Sequence, residues 1–220
     1  MTPEGIEATI AIAHVGHALL FFLLWPSLAP DSRIVLTASG THDPAQKSGL
    51  PDAEYDTAED LAHPPESMIK IPGRKRYSTA KFCNVLFTYA LSRRLAELAP
   101  DCRITVNAFD PDLIPGKGLA QEANKFESFL WYSILPYVLG LLRLILFPNI
   151  HTPAESGAAL ARLAIGPDVE GTRGKYFEGL RDIKSSLDSY DESKQEDLWD
   201  WTVKYLAKDE REKAKFELLK

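Results

Sequence analysis

Two short aliphatic runs constrain this chain most. The first, Arg33-Ile34-Val35-Leu36-Thr37-Ala38, closes on Ser39-Gly40; the second, Arg103-Ile104-Thr105-Val106-Asn107-Ala108-Phe109, closes on Asp110-Pro111. Each is short, apolar and bounded by turn residues, which is the pattern of a buried strand. Between them, from Tyr77 to Leu98, Phe82, Val85, Leu86, Tyr89 and Leu91 recur at roughly helical spacing. Strand, helix and strand in that order predict an α/β fold.

Tyr77 and Lys81 open the helical segment one turn apart, and an i, i+4 pair shares one helix face. An ammonium beside a phenol favours the phenolate, so Lys81 is expected to lower the pKa of Tyr77. A tyrosine tuned in this way passes a proton near neutral pH, as acid–base chemistry on an alcohol or carbonyl requires. Taken alone, a Tyr-x-x-x-Lys spacing suits a solvated helix start equally well.

The order of the pieces is more specific. A strand with Ser39 at its carboxyl end, a helix opening on Tyr77 and Lys81, and a strand running into a proline loop together resemble the short-chain dehydrogenase/reductase family. Glu7-Ala8-Thr9, His14-Val15-Gly16-His17-Ala18-Leu19-Leu20 and Ser39-Gly40-Thr41-His42-Asp43-Pro44 are most similar to the branch of retinol dehydrogenases and light-dependent protochlorophyllide reductases, as are Gly174-Lys175-Tyr176-Phe177 and Leu198-Trp199. The resemblance covers most of the chain. It implies the C-terminal part of a Rossmann-like doubly wound parallel sheet with flanking helices. A complete family member begins with a glycine-rich turn that holds the dinucleotide pyrophosphate at a helix N-terminus. No G-x-x-x-G-x-G occurs here. The expectation is an N-terminally incomplete chain with about three strands retained and the Ser39 strand left as an unpaired edge.

The resemblance also implies a chemistry: NAD(P)-dependent interconversion of an alcohol and a carbonyl on a small or lipophilic substrate. Ser39, Tyr77 and Lys81 take the catalytic places, with Ser39 hydrogen-bonding the substrate oxygen. Tyr77, Lys81, Pro111, Leu113 and Ile114 take the cofactor-binding ones. NADP is placed ahead of NAD, and either is expected to bind weakly without the pyrophosphate turn. Two residues depart from the family pattern. Ala13 stands where the family carries an asparagine that organises a relay water, and Asp112 stands where it carries glycine, placing bulk and negative charge beside the cofactor. These departures support the alternative of a catalytically inactive binding or interaction protein.

The remaining segments are read in order within a single unit, 1–220. Residues 5 to about 28 form an apolar helix stopped near Pro26 and Pro30, suited to burial. Residues 41–76 are a long polar insert, either a lid or surface decoration, in which His42 and His63 are expected to be solvated. Arg74-Lys75-Arg76 reads as a solvated shoulder. Pro115-Gly116-Lys117-Gly118 continues a loop of the kind that lines a ligand crevice. Residues 123–150 form an apolar lobe; within it 129–147 carry one charge, Arg143. Two short helices broken at Pro136 and Gly140, walling a substrate pocket, are favoured over a membrane span, with peripheral membrane contact left open. Residues 153–165 read as a helix entered by Pro153, Lys175-Tyr176-Phe177 as the last short strand, and 191–220 as a charged C-terminal helix docked by Leu198, Trp199, Trp201, Val203 and Leu206, with Lys208 to Lys220 a solvated helix or frayed tail. A net charge of −6 gives no reason to expect nucleic acid. Cys83 and Cys102 make neither a disulfide framework nor a metal spacing, so no metal is expected. With no secretory signal pattern, a cytoplasmic setting is expected, including membrane association. The oligomeric state is open.

Overall fold

The structure is a computed structural model that describes residues 1–66, 71–98, 102–115, 129, 133–145 and 149–219. Three consecutive strands in parallel, β1 (Arg33–Thr37), β2 (Thr105–Asp110) and β3 (Tyr176–Glu178), carry a fourth, β4 (Arg181–Ile183), antiparallel at the edge; the order is β1-β2-β3-β4. The expected fold class is present. The strand count is four rather than about three. Gly179, at φ +55, turns the chain after β3 and permits a two-residue hairpin into β4. That strand was not foreseen because Arg181-Asp182-Ile183 has no apolar alternation.

Every residue of β2 is buried, as befits a central parallel strand covered on both faces. Its Asn107 bridges a gap in the sheet, donating to Thr172 O (2.8 Å) and accepting from Lys175 N (3.0 Å). β1 lies at the sheet edge, and among the described residues nothing pairs with its outer side. A groove of about 260 Å³ runs beside it, lined by Leu20, Leu24, Leu36 and Phe87 among others.

The N-terminal helix is built of α1 (Ala8–Ile10), a π-helical stretch Ala11–Val15 and α2 (Gly16–Leu24), and it ends in a 3-10 turn Trp25–Ser27 at Pro26. Ala8–Ser27 is long and apolar enough to cross a membrane by length and composition. Ile10, Val15, Ala18, Phe21 and Phe22 are nevertheless buried in the protein core, while Leu20 and Leu23 are exposed. Within the insert, α3 (Ala58–Ala62) is capped by Thr57. It is fastened to the C-terminal region by Ala58 N to Asp197 (2.7 Å) and Trp201 Nε1 to Glu59 (2.7 Å).

The long helix α4 (Gly73–Leu98) begins one turn before Tyr77. Arg74-Lys75-Arg76 therefore lies inside it. Arg76 is no solvated shoulder, since it pairs with the buried carboxylate of Glu7 at 2.8 Å. Of the expected apolar lobe, 123–128, 130–132 and 146–148 lie outside the described residues, as do Gly116, Lys117 and Gly118. In what remains, a 3-10 turn Leu135–Tyr137 precedes α5 (Leu139–Ile145), so the break falls at Val138 and Gly140 is helical. Phe129, Tyr137 and Leu144 are exposed.

The helix α6 (Pro153–Ile165) has a complete capping box between Thr152 and Glu155. It packs Ala159 and Leu163 against Phe109 and Phe177, while Val85 and Tyr89 of α4 cover Ala38, Ala108 and Tyr176 on the opposite face. The C-terminal region is two helices, α7 (Glu192–Leu206) and α8 (Glu210–Leu218), because Asp209 caps a fresh start. Its end is not frayed: Phe216 stacks on Phe22 (centroids 4.3 Å apart) and Leu219 O accepts from Trp25 Nε1 at 2.6 Å.

Candidate active site

Parallel strands leave a crevice at their carboxyl ends, where the loops that follow them diverge. Here the segments following β1 and β2 enclose a cavity of about 330 Å³, lined by Ser39, Tyr77, Pro111, Asp112, Leu113 and Ile114, with Gln46, Ser48 and Leu50 of the insert along one side. The structure thus gathers Ser39 and Tyr77 of the three expected catalytic residues, and Tyr77, Pro111, Leu113 and Ile114 of the five expected cofactor contacts, at one cavity. Leu113 is held there by a parallel bridge to Ile150.

Ser39 sits at the mouth of β1 because the strand ends in a 3-10 turn Gly40–His42 that Ser39 itself caps, its Oγ accepting from Thr41 N. Tyr77 reaches the same cavity from α4, and the Ser39 hydroxyl lies near enough to its phenol to pull the phenol's pKa down. Lys81, one turn further along, does not line the cavity. Its Nζ donates to Thr37 O at 3.0 Å and lies 5.6 Å from the Tyr77 ring centroid. Asn84 Nδ2 donates to the same carbonyl, also at 3.0 Å.

The electrostatics differ from the expectation. Burial raises the Tyr77 phenol above its ordinary value, the Ser39 hydroxyl pulls it back, and the carboxylate of Asp110 raises it. The lowering of the phenol's pKa by Lys81 expected from the spacing is not among these causes, and the Lys81 ammonium donates to Thr37 O. Burial lowers the pKa of Lys81, and Asp110 opposes that shift.

The floor of the cavity is acidic. Asp110 is buried and accepts from Asp112 N (2.9 Å) and Tyr176 OH (3.1 Å). A Cβ on Gly40 would stand 3.0 Å from Asp110 and closer still to the end of the Gln46 side chain, which would have to swing away to admit it. Carboxylate oxygens of Asp110, Asp112 and Glu178 all lie within 4.8 Å of one another. Glu178 is tied down by Asn149 and Arg181.

Asp112 is a non-glycine residue at φ +65, with its side chain 2% exposed and 3.2 Å from His151 Nε2. Burial first, then Asp110 and Glu178, push its carboxyl up to about 8. This corrects the expected negative charge beside the cofactor: at neutral pH the group keeps its proton. The folded state binds that proton between about pH 4, the ordinary carboxyl value, and about pH 8, so Asp112 costs stability as pH rises through that window. The melting temperature is expected to fall from pH 5 to 9 more steeply in the wild type than in Asp112→Asn, as thermal scans across pH will show. Asp112→Gly should in addition stabilise at every pH by removing the left-handed strain, worth about 1 kcal/mol.

Sequence reasoning did not single out Asp110, Tyr176, Glu178 or Asn149 as site residues, since the first ends a strand and the others arrive from distant segments. It also placed His42 in solvent, whereas His42 is 1% exposed. The available signal was the hydroxyl of Ser39 three residues earlier, since a 3-10 turn brings residue i+3 back onto residue i. His63 is exposed and bonds Glu59.

The mostly parallel sheet with helices on both faces is the fold class expected above, with Ser39, Tyr77 and Lys81 near its strand ends. Over about nine-tenths of its length the chain is similar to members of the short-chain dehydrogenase/reductase family. It is 26% identical over 216 residues to short-chain dehydrogenase TIC 32 B, chloroplastic, of Brassica napus, covering 93% of this chain and 58% of that protein. It is 30% identical over 202 residues to human retinol dehydrogenase 14, covering 90% and 52%, and 28% identical over 204 residues to human polyprenol dehydrogenase, covering 90% and 54%. Residues 128–215 match the AcuH dehydrogenase domain model. A solved structure of an uncharacterized protein from Mycobacterium paratuberculosis superposes with a TM-score of 0.57 at 20% identity, covering 94% of this chain and 61% of that one, a likeness of fold. The chain thus spans between about half and three-fifths of the length of these relatives.

Proposed function

We propose that this chain carries the alcohol–carbonyl half of an NAD(P)-dependent oxidoreductase site. The observation that supports it is the Ser39–Tyr77 hydroxyl pair at the rim of a cavity beyond the ends of two parallel strands. The cavity is at the small end of cofactor pockets, about 300–1,000 Å³. It offers room for a nicotinamide and its ribose, not for a whole dinucleotide. Pro111, Leu113 and Ile114 would flank the ring, and Lys81, released from Thr37 O, would reach the ribose hydroxyls with Tyr77. When bound, the nicotinamide supplies or accepts the hydride. Ser39 orients the substrate oxygen and steadies its developing charge. Tyr77 transfers the proton at that oxygen. Burial raises the phenol's pKa, so in the reductive direction Tyr77 is the group that gives its proton to the carbonyl oxygen.

Retinol and polyprenol dehydrogenases among the relatives support a small lipophilic substrate. The exposed Phe129, Tyr137 and Leu144 support peripheral membrane contact through 129–147 by an otherwise cytoplasmic protein. The insert 41–76 serves as one wall of the site through Gln46, Ser48 and Leu50. A second reading, a binding protein without turnover, is favoured by Asp112, whose backbone strain and bulk lie where the nicotinamide would sit. The two part in one experiment: titrate NADPH and NADH against the chain by cofactor fluorescence, with retinal as acceptor. Saturable binding with retinal-dependent oxidation of the cofactor supports the oxidoreductase, and no binding at millimolar cofactor removes it.

A further inference from the structure

The buried His42 has no part in the chemistry above, yet it contacts the backbone that carries Ser39. Its Nδ1 lies 2.7 Å from Ser39 O, and its Nε2 lies 3.1 Å from Ser186 N. An amide N–H can only donate, so Nε2 must accept; the proton is then on Nδ1, donated to Ser39 O. The imidazole is neutral, burial lowering its pKa despite Asp43 and Asp110. Its ring packs against Tyr176, with centroids 4.8 Å apart.

The far end of this connection is anchored in α4. Ser185, next to Ser186, shares a 2.6 Å hydrogen bond with Tyr89 OH, and Ser189 closes the turn by bonding both Ser185 Oγ and Ser186 O. Tyr89 and Tyr77 belong to the same rigid helix. The route Ser39–His42–Ser186/Ser185–Tyr89 therefore closes a ring of contacts around the Ser39–Tyr77 pair. On the other side of the turn, Gly40 lies against Asp110, a Cβ built there standing 3.0 Å from Oδ2.

We infer that His42 is a positioning residue that fixes the Ser39 hydroxyl against Tyr77 by bracing the Ser39 carbonyl on the 185–190 turn. The inference rests on the oxidoreductase reading for its consequence in turnover, not for its geometry. A displacement of about 1 Å at a reacting group costs about 100-fold in rate. The two arms of the imidazole are separable. In His42→Asn the amide nitrogen takes the place of Nδ1 and keeps the bond to Ser39; in His42→Gln the amide takes the place of Nε2 and keeps only the bond to Ser186; His42→Ala keeps neither.

The decisive readout is the ionisation of Tyr77, followed by NMR of tyrosine labelled at Cζ, with Ser39→Ala as the reference for a phenol that has lost its partner. The expected result is a Tyr77 titration shifted to the Ser39→Ala position in His42→Gln and His42→Ala, and close to wild type in His42→Asn. Turnover should follow the same order, with kcat lowered about 100-fold in His42→Gln and KM little changed. An unshifted Tyr77 in His42→Gln, or identical Tyr77 titrations in the Asn and Gln variants, overturns the inference and leaves His42 as core packing. If the wild type binds no cofactor, the oxidoreductase reading fails while the phenol titrations still decide the role of His42.

Discussion

Tyr77→Phe is expected to lower cofactor-dependent carbonyl reduction by about 10²–10⁴-fold, the range for loss of a positioned acid, without lowering the melting temperature. Of the Ser39–Tyr77 pair only the phenol is acidic enough to give up its proton, even with burial and Asp110 raising its pKa. Ser39 can hydrogen-bond an oxygen but cannot replace the proton that oxygen needs. The phenylalanine ring retains the packing of α4 and the face over which Lys81 Nζ sits. Stopped-flow measurement of hydride transfer, with thermal melts on the same samples, tests both parts. A rate within tenfold of the wild type would remove Tyr77 from the chemistry. The same argument gives a pH dependence: reduction should hold from pH 6 to above 8 and decline only where Tyr77 ionises, above the ordinary tyrosine value of about 10.

Trp199→Ala is expected to cost about 3–5 kcal/mol of stability, the range for removing a buried indole, and so to lower the melting temperature by about 6–20 °C. Trp199 is 1% exposed and joins three elements. It stacks on Phe87 of α4 at 5.4 Å between centroids, meets Phe22 of α2 edge-on at 5.7 Å, and takes the Arg94 guanidinium over its face at 4.3 Å. Few residues could fill the space, because Phe87 and Phe22 are themselves fixed by His14, Phe21 and Phe216. Glu196 would still bridge Arg93 and Arg94, so the loss belongs to packing rather than to ion pairing. Chemical denaturation should show a lower midpoint with an unchanged slope. At temperatures where the variant stays folded, cofactor binding should match the wild type, since the residue lies on the α7 side of α4, away from the cavity.

Much of this was legible in the residues. The strands at Arg33–Thr37 and Thr105–Asp110 and the helix through Tyr77 and Lys81 are local patterns, set by apolar spacing and bounded by turn residues. The proximity of Ser39 to Tyr77 followed from the family resemblance that their order carries. The misreadings have a common cause. Arg76, His42 and Phe216 look solvated when only their neighbours in sequence are considered. Each is covered by a segment remote in the chain: Glu7 for Arg76, Ser186 for His42, Phe22 for Phe216. Burial is a property of the assembled layers, and a polar residue enters them only where a distant partner satisfies it.

The amino-acid order determined by itself the strands, the helix between them and the shared face of Tyr77 and Lys81, because periodicity and short spacings are local; the gathering of Ser39 with them was what the family resemblance implied. Only the tertiary structure decided the protonation of those groups. It set the Lys81 ammonium on the Thr37 carbonyl, and it crowded Asp112 among Asp110 and Glu178, which push its carboxyl up to about 8. A pKa depends on the dielectric and on charges a few ångströms away through space, and those neighbours are set when separate segments pack together.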